Sequence, residues 1–358
     1  MKKIIFFTKN LQIGGMEKSL VKLINSIDFQ NYEVTLVLEK LEGKLLNHIR
    51  NDIKITNYNL SSNNNILIRK ITNIIKKTKF LIKNYKKYDC AINYATYSVW
   101  GSQMALRCSK NSVLYIHSDY YEMFNGDVSK IRDFFKMINV EKFKKIVFVS
   151  KQSKEKIANI MPEISNKCIL LGNMIDAYNI QKQAELYKVE FDTAKINLLV
   201  VARLDDEAKQ LSKLIKTINT STDIDKFTVY IIGSGPDENK YHKLSKTKNI
   251  IFLGEMDNPY PYIKNSDYLL LTSKYEGFPV VYNEATVLGT KIITTIPVED
   301  EQISYSKENV IMLKKDLSNF DDIIQQILSG KVNVQVENKN FQRINEKKIQ
   351  MFYEKVCR

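Results

Sequence analysis

Short apolar runs alternate with segments of helical periodicity along this chain, and this alternation constrains its fold more than any other feature. The runs in the first half lie at residues 4–7, 33–38, 90–94, 113–117, 145–149 and 168–171. Those in the second half begin at residue 196 and continue at 228–232, 250–253, 268–272 and 291–294. Strands that alternate with helices pair in parallel, and helices cover both faces of their sheet. The sequence therefore predicts an α/β protein with two similar halves, divided near residues 175–192.

The composition is that of a globular protein with two cores. At 358 residues the chain is long for a single core, and its 44% hydrophobic and 26% charged content is ordinary. Cys90, Cys108, Cys168 and Cys357 show no paired spacing, which argues against a disulfide framework and a zinc site. The first apolar stretch is too short for a secretory signal, and no run approaches the roughly 18 residues that span a bilayer. These features predict a cytoplasmic protein.

Charged residues follow two predicted strands of the second half. Arg203 and Lys209 come after the strand that begins at residue 196, and Glu276 follows strand 268–272. Ligands of open α/β sheets bind at the carboxyl ends of the strands, where Arg and Lys suit a nucleotide diphosphate. Pro279 can start a helix there, whose N-terminal N–H groups also attract phosphate, and Glu284 lies inside that helix. The pattern predicts a sugar-nucleotide site with one carboxylate at each end of an elongated ligand.

Each signal also has a common alternative when it is taken alone. Two glutamates are more often solvated acids at a helix edge than ligand contacts. The glycines at 233 and 235, and the Gly14-Gly15 pair after the first strand, are typical of any tight connection. His117, at the end of a strand, fits a hydrogen-bonded core residue as well as a site residue. The order and spacing of the whole set are therefore more informative than any one member.

In that order and spacing, the chain resembles the retaining glycosyltransferases of the GT-B fold, specifically the family-4 group that builds bacterial surface polysaccharides. The matching segments are residues 14–17, His117, residues 173–176, Arg203 with Lys209, residues 233–236, and Glu276 with Glu284. The resemblance implies two Rossmann-like domains with parallel sheets that face each other across a cleft. It implies an N-terminal acceptor-side domain at 1–175, a C-terminal donor domain at 176–338, and a helix at 339–358 that crosses back to the first domain.

The resemblance also implies roles for individual residues. Arg203 and Lys209 would hold the donor diphosphate, Glu276 would contact the transferred sugar, and His117 would lie beside it; these four are the predicted catalytic residues. Glu284 would bind the ribose. The remaining donor contacts would come from Gly15, Gly233, Gly277, Phe278, Pro279 and Val280, mostly through backbone N–H groups.

The implied activity is metal-independent, retaining hexosyl transfer from a nucleotide diphosphate sugar, with UDP-sugar expected, to a lipid-linked saccharide in capsule, exopolysaccharide or O-antigen synthesis. No cofactor and no metal site are expected. Asp223-Ile224-Asp225 matches the metal signature of the other glycosyltransferase fold, but it precedes a strand and is ordinary turn chemistry. Two other classes stay open: a sugar-nucleotide epimerase of GT-B-like fold, which needs no acceptor, and a catalytically silent GT-B binding subunit.

Three positions depart from the family pattern. Ala202 stands where the family commonly has glycine before the arginine, Gln210 replaces the glycine after Lys209, and Met174 replaces a glycine at the mid-chain crossing. All three changes are at positions where the backbone conformation matters, so they concern loop geometry. The side chains with proposed roles are all present.

Positive charge is concentrated in the first half of the chain. Residues 1–180 contain 29 Lys and Arg against 15 Asp and Glu, whereas residues 181–358 contain 25 of each. The resemblance places the acceptor on the N-terminal domain, so an acceptor carried in an anionic membrane surface accounts for the excess. Peripheral attachment to the inner face of the membrane is the expected location. Nucleic acid is a rival partner for a basic chain, but no nucleic-acid motif accompanies the charge, and none is expected to bind.

A basic amphipathic helix is predicted from Leu67 to Tyr85. Its apolar residues fall within one third of the helical wheel, and lysines and an arginine occupy the rest. The favoured interpretation is that the apolar stripe packs on the N-terminal sheet while the lysines face water. The alternative is insertion into a membrane interface, which requires an exposed stripe.

Overall fold

The computed structural model describes residues 1–58, 60–296, 310–332 and 340–358. The chain divides into two compact units: unit 1 is Met1–Met174 with Arg343–Arg358, and unit 2 is Ile175–Gln342. The first observed division falls one residue before the predicted boundary at 175/176. The predicted boundary at 338/339 lies outside the described residues. Among the helices of the described ranges, none is both long and apolar enough to cross a membrane.

Unit 1 alternates strands and helices along the chain. Its strands are β1 Lys2–Thr8, β2 Tyr32–Leu38, β3 Lys54–Asn57, β4 Cys90–Asn93, β5 Ser112–Ile116, β6 Lys145–Phe148 and β7 Cys168–Leu170. Its helices up to β7 are α1 Gly15–Asn25, α2 Ile66–Asn84, α3 Val99–Cys108, α4 Tyr120–Met123, α5 Val128–Met137 and α6 Lys151–Ile160. Within the described ranges, these strands form one parallel sheet in the order β3-β2-β1-β4-β5-β6-β7.

The core of unit 1 lies on both faces of this sheet. Ile4 and Phe6 of β1 pack in one cluster, and Ile5 and Phe7 pack in the other. A strand that is buried on both faces needs apolar side chains at every position, which explains the uninterrupted apolar run at residues 4–7.

Unit 2 repeats this architecture. Its strands are β8 Ile196–Val201, β9 Phe227–Ile232, β10 Ile250–Gly254, β11 Tyr268–Leu271, β12 Lys291–Thr294 and β13 Val310–Met312. Its helices are α7 Ala177–Ala184, α8 Asp206–Lys209, α9 Leu211–Asn219, α10 Glu238–Leu244, α11 Tyr260–Asn265, α12 Val280–Leu288 and α13 Phe320–Leu328. Over its described residues, the parallel sheet has the order β10-β9-β8-β11-β12-β13.

The strand order of each sheet reverses at one place, beside β1 in unit 1 and beside β8 in unit 2. In open α/β sheets the crevice at the carboxyl end of such a reversal is where ligands bind.

The predicted strands are all present, with ends that differ by a few residues, but β3 and β13 were not predicted. Both are short: β3 has an exposed lysine and partly buried side chains, whereas β13 is three residues of the apolar run at 310–313, which the sequence-based prediction overlooked.

The last helix, α14 Phe341–Met351, and the turn of π-helix that follows it pack largely on unit 1. Phe352 is buried and stacks on Phe6, with ring centroids 6.2 Å apart, and Tyr353 stacks on Tyr32 at 4.8 Å. The backbone N–H of Asp28 donates to the Tyr353 hydroxyl at 2.7 Å. This segment is therefore part of the unit 1 core.

The packing predicted for the amphipathic helix is wrong. The helix is present as α2, and Asn65 caps it by accepting from the N–H groups of Leu67 and Ile68. Its apolar stripe, however, faces solvent: Leu67 is 70% exposed and Ile82 is 75% exposed. The side chains that α2 buries include Lys77 and Asn84. The reason is that the partners of the inward face are aromatic residues that receive a lysine, as described below.

Candidate functional site

Three loops meet at the carboxyl edge of the unit 2 sheet. They follow β8, β9 and β11, and the strand order places β8 between the other two. Predicted site residues lie in all three loops: Arg203 after β8, Gly233 after β9 and Glu276 after β11. The sequence therefore identified three neighbouring strand ends at the place where the strand order reverses.

The glycines after β9 allow two of these loops to touch. A Cβ atom at Gly233 would lie 1.8 Å from the Ala202 carbonyl oxygen, and one at Gly235 would lie 2.3 Å from that of Leu204. Gly233 also has a φ of +145°, which side-chain-bearing residues rarely adopt. The backbone N–H of Leu204 donates to the Ser234 carbonyl at 2.9 Å. These glycines thus fix the loop that carries Arg203.

Lys209 and Glu276 form an ion pair between the loops after β8 and β11. The Glu276 carboxylate also accepts from the Ser273 hydroxyl at 2.8 Å, and the Thr272 hydroxyl donates to the Lys209 carbonyl at 3.0 Å. Both charged side chains are largely withdrawn from solvent, at 21% and 16% exposure. The pair holds an ammonium group and a carboxylate at the edge where a diphosphate sugar is predicted to bind.

Arg203 lies apart from this ion pair. Its side chain is 71% exposed and approaches Asp205, with a guanidinium-to-carboxylate distance of 3.8 Å. An exposed pair at this distance contributes little to stability, so its guanidinium can exchange Asp205 for a ligand at small cost. The structure therefore places Arg203 on the same loop as Lys209 without joining the two side chains.

Glu284 occupies the interior of α12, where it is buried. The Tyr260 hydroxyl of α11 donates to its carboxylate at 3.1 Å. Gly277 and Phe278 precede the helix, and Pro279 is its N-cap, so the helix begins at Val280 and not at Pro279 as predicted. The first N–H groups of an α-helix have few partners within the helix, and α12 begins directly after the loop that carries Glu276.

In unit 1, the predicted residue Gly15 is the first residue of α1, and Gly14 is its N-cap. A Cβ atom at Gly14 would lie 2.3 Å from the Glu17 carboxylate, so this glycine leaves room for an acid in the first helical turn. Burial raises the pKa of Glu17. A hydrogen bond from its own backbone N–H lowers this pKa, but by less. Gly14 therefore has a local packing role.

His117 lies directly after β5, which ends at Ile116. Its ring packs on Tyr94 and Tyr115, with centroids 4.4 Å and 5.7 Å away. Both ring nitrogens are enclosed, and neither has a hydrogen-bond partner among the described residues. Burial lowers the pKa of His117 to about 3, so the imidazole is neutral at physiological pH. Buried polar atoms without partners are uncommon in folded proteins, and they disfavour the interpretation of His117 as a hydrogen-bonded core residue.

Sequence reasoning missed the partners of the site residues. Ser273 lies three positions before Glu276, and this spacing within a loop was an available signal. Tyr260 precedes Glu284 by 24 residues and lies on another helix, so no local pattern connects them. Tyr94 meets His117 only because β4 and β5 are neighbours in the sheet.

The departures from the family pattern have structural outcomes. Gln210 has a φ of +52° and separates α8 from α9, so it adopts the left-handed conformation that glycine adopts without strain. Met174 is buried in the unit 1 core. Asp223 and Asp225 lie at a turn before β9, where the Asp223 carboxylate accepts from the Gln325 amide at 2.6 Å. Over the described ranges, no group of three or more His, Cys, Asp and Glu side chains has the arrangement of a metal site.

Comparison with known proteins places this architecture in a class. The fold matches the crystal structure of Anabaena Alr3699/HepE in complex with UDP-glucose, with a TM-score of 0.73 at 14% identity. The match covers 99% of this chain and 100% of that one. The chain therefore has the GT-B fold, as expected.

The sequence matches point to a family. Residues 195–330 match the family of group 1 glycosyl transferases. A protein of the cps region of Klebsiella pneumoniae is 26% identical over 226 residues, which are 52% of this chain and 61% of that protein. The Campylobacter jejuni N-acetylgalactosamine-N,N'-diacetylbacillosaminyl-diphospho-undecaprenol 4-alpha-N-acetylgalactosaminyltransferase is 25% identical, over 82% of this chain and 81% of its own length. The relationship to the bacterial polysaccharide glycosyltransferases of GT-B fold is confirmed.

Proposed function

We propose that the protein is a retaining glycosyltransferase that moves a hexosyl group from a nucleotide diphosphate sugar, with UDP-sugar the expected donor, to a lipid-linked saccharide in bacterial surface polysaccharide synthesis. The observation that carries the proposal is the ion pair of Lys209 with Glu276 at the strand-order reversal of unit 2. Its members come from different loops, and both face the edge where α/β proteins bind nucleotides.

Donor binding would exchange the partners of this ion pair. The diphosphate would take the Lys209 ammonium, and Glu276 would then accept hydroxyl groups of the sugar. A preorganised cation that meets charge developing on the leaving diphosphate lowers the barrier without reorganisation of solvent. Arg203, which reaches solvent beside Asp205, would supply the second cation, and the first-turn N–H groups of α12 would supply further donors. This set supports transfer without a metal.

The acceptor assignment has independent support. The net charge of +14 lies entirely in residues 1–180, and the Campylobacter relative is named for a diphospho-undecaprenol saccharide. Both support the proposed peripheral position on an anionic membrane surface, on the cytoplasmic side. His117 is proposed as the unit 1 residue beside the reacting sugar, because its neutral imidazole has two nitrogens without a partner among the described residues.

The test is incubation with a panel of UDP-, GDP- and dTDP-sugars in the presence of EDTA. A transferase releases nucleoside diphosphate slowly by donor hydrolysis, and faster when a lipid-diphosphate saccharide is added. NMR of the product then gives the anomeric configuration, which a retaining enzyme preserves. Conversion of the donor to a different sugar identifies an epimerase, and binding without reaction identifies a silent subunit; either result overturns the proposal.

A further inference from the structure

Helix α2 is attached to unit 1 through a mixed face, in which Phe80 and Leu81 pack against the core beside buried polar side chains. The buried ammonium of Lys77 lies 3.8 Å from the ring centroid of Trp100 and 5.7 Å from that of Tyr58. Phe80 packs edge-on against Tyr58 at 5.1 Å, and the backbone N–H of Ser61 donates to the Asn73 side chain at 2.6 Å. Cation–π attraction is strongest for a desolvated cation, so these contacts fix the rotation of the helix about its axis.

This rotation turns the apolar stripe away from the protein. The outward-facing residues, which we call the α2 apolar arc, are Leu67, Ile68, Ile71, Ile74, Ile75 and Ile82. Their exposed fractions range from 49% for Ile75 to 75% for Ile82. At 3.6 residues per turn they occupy about one third of the circumference. Single exposed apolar residues are common, but a contiguous row along a helix marks an interaction surface.

Cationic side chains border the α2 apolar arc on one side. Arg69, Lys79 and Lys83 are exposed there. The surrounding sequence is uniformly basic, because residues 53–88 contain nine Lys and Arg and no Asp or Glu. A second copy of the chain on this face would bring like charges together. A surface of anionic headgroups over acyl chains matches both the charge and the apolar row.

We infer that the α2 apolar arc inserts into the headgroup region of an anionic lipid bilayer, with the flanking cations on the lipid phosphates. The inference specifies how the proposed enzyme would reach its acceptor. It rests on the proposed function in one respect, which is that a lipid-linked acceptor requires an enzyme at the membrane. The helix lies in the plane of the interface and does not cross the bilayer. Lys77 holds the arc outward in the absence of lipid, so no refolding is required for contact.

Flotation with vesicles tests the inference on the full chain. Wild type is expected to float with vesicles that contain phosphatidylglycerol, and weakly with phosphatidylcholine alone. Ile71→Ser with Ile75→Ser should weaken binding about tenfold or more. Lys79→Gln with Lys83→Gln should weaken it about thirtyfold, because each cation near the surface contributes about 1 kcal/mol.

Matched controls lie on unit 2. Leu186→Ser with Leu328→Ser removes two exposed leucines, and Lys216→Gln with Lys226→Gln removes two exposed charges. Both controls should float as wild type does. The inference is overturned if the controls and the α2 variants lose vesicle binding to the same extent. It is also overturned if wild type floats equally well with both vesicle types. Sedimentation that shows a dimer which the Ile71→Ser, Ile75→Ser variant dissociates overturns it too, since the arc is then a self-association surface.

Donor hydrolysis in vesicle-free buffer separates this inference from the proposed function. The α2 variants are expected to hydrolyse donor at the wild-type rate, because none of the substituted residues belongs to the predicted donor site. Wild type that floats but does not hydrolyse any donor contradicts the proposed function and leaves the lipid surface standing. Wild type that hydrolyses donor but does not float contradicts the lipid surface alone.

Discussion

At the scale of single residues, Lys209 has the most specific assignment, because its ammonium is held at the sheet edge by Glu276. Lys209→Met and Glu276→Ala should each lower kcat about a hundredfold or more, through loss of charge stabilisation at the leaving diphosphate and of contact with the sugar. Lys216→Met is the matched control, since Lys216 is an exposed lysine of α9. Steady-state kinetics with the preferred donor measure the effect. Near-wild-type kcat in either site variant rejects the assigned roles.

Gln210 offers a test of strain in the donor loop. A non-glycine residue at a φ of +52° costs about 1 kcal/mol or more relative to glycine, part of which the extra freedom of unfolded glycine offsets. Gln210→Gly should therefore raise the free energy of unfolding by about 0.5–1 kcal/mol, as measured by urea denaturation. Gln210→Ala is the control, because it removes the same side chain and keeps the strain. A gain of equal size for alanine shows that the side chain, and not the backbone, is responsible.

At the scale of elements, the contact between the loops after β8 and β9 depends on Gly233. Gly233→Ala places a methyl group against the Ala202 carbonyl at a backbone conformation unsuited to alanine, and it should destabilise the fold by about 3 kcal/mol. Gly330→Ala is the matched control: Gly330 has a φ of +68°, but a Cβ atom there meets no atom of the described residues within 4 Å. It should cost only about 1 kcal/mol.

Circular dichroism in a urea series measures both glycine variants. Surviving Gly233→Ala protein should also bind donor more weakly than Gly330→Ala, because the displaced loop carries Arg203. Equal losses of stability would mean that backbone strain alone, without the close approach, governs both positions.

The elements also show which structure the sequence could predict. The strand ends that carry Arg203, Gly233 and Glu276 were predictable, because uninterrupted apolar runs mark buried parallel strands and the polar residues after them lie at one edge. The rotation of α2 about its axis was not predictable. Periodicity shows that a helix has an apolar stripe, but it does not show whether that stripe faces the core or the solvent. The stripe is turned outward by Lys77, whose aromatic partners come from elsewhere in the chain. Sheet order likewise decides that Tyr94 meets His117.

At the scale of the whole molecule, the return of the chain to unit 1 makes stability depend on pH through Lys348. This residue of α14 is buried and donates from its Nζ to the Asn173 carbonyl at 2.6 Å, and burial lowers its pKa to about 7. Between about pH 7 and the ordinary lysine pKa of 10.5, the unfolded chain keeps a proton that the folded chain has released. The destabilising contribution of Lys348 is therefore largest at or below about pH 7, and it is lost as the pH rises from there toward 10.5.

The expected gain from Lys348 is about 1 kcal/mol per pH unit above neutrality. Urea denaturation at several pH values should show this slope in wild type. Lys348→Met should flatten it, because no proton is then exchanged at that position. Lys355→Met, at an exposed lysine of the same segment, should keep the wild-type slope. Parallel curves for wild type and Lys348→Met would show that another group dominates.

The route of the chain also bears on the order in which the protein matures during synthesis. Unit 2 is one continuous stretch, whereas the core of unit 1 includes Phe352 and Val356, both buried against residues near the start of the sequence. A ribosome therefore releases the whole of unit 2 before it can supply the side chains that close the core of unit 1. Residues 1–174 of unit 1 are therefore synthesised long before Phe352, and the core around Phe6 stays incomplete during that time. We therefore expect chaperones to bind nascent unit 1 more than nascent unit 2.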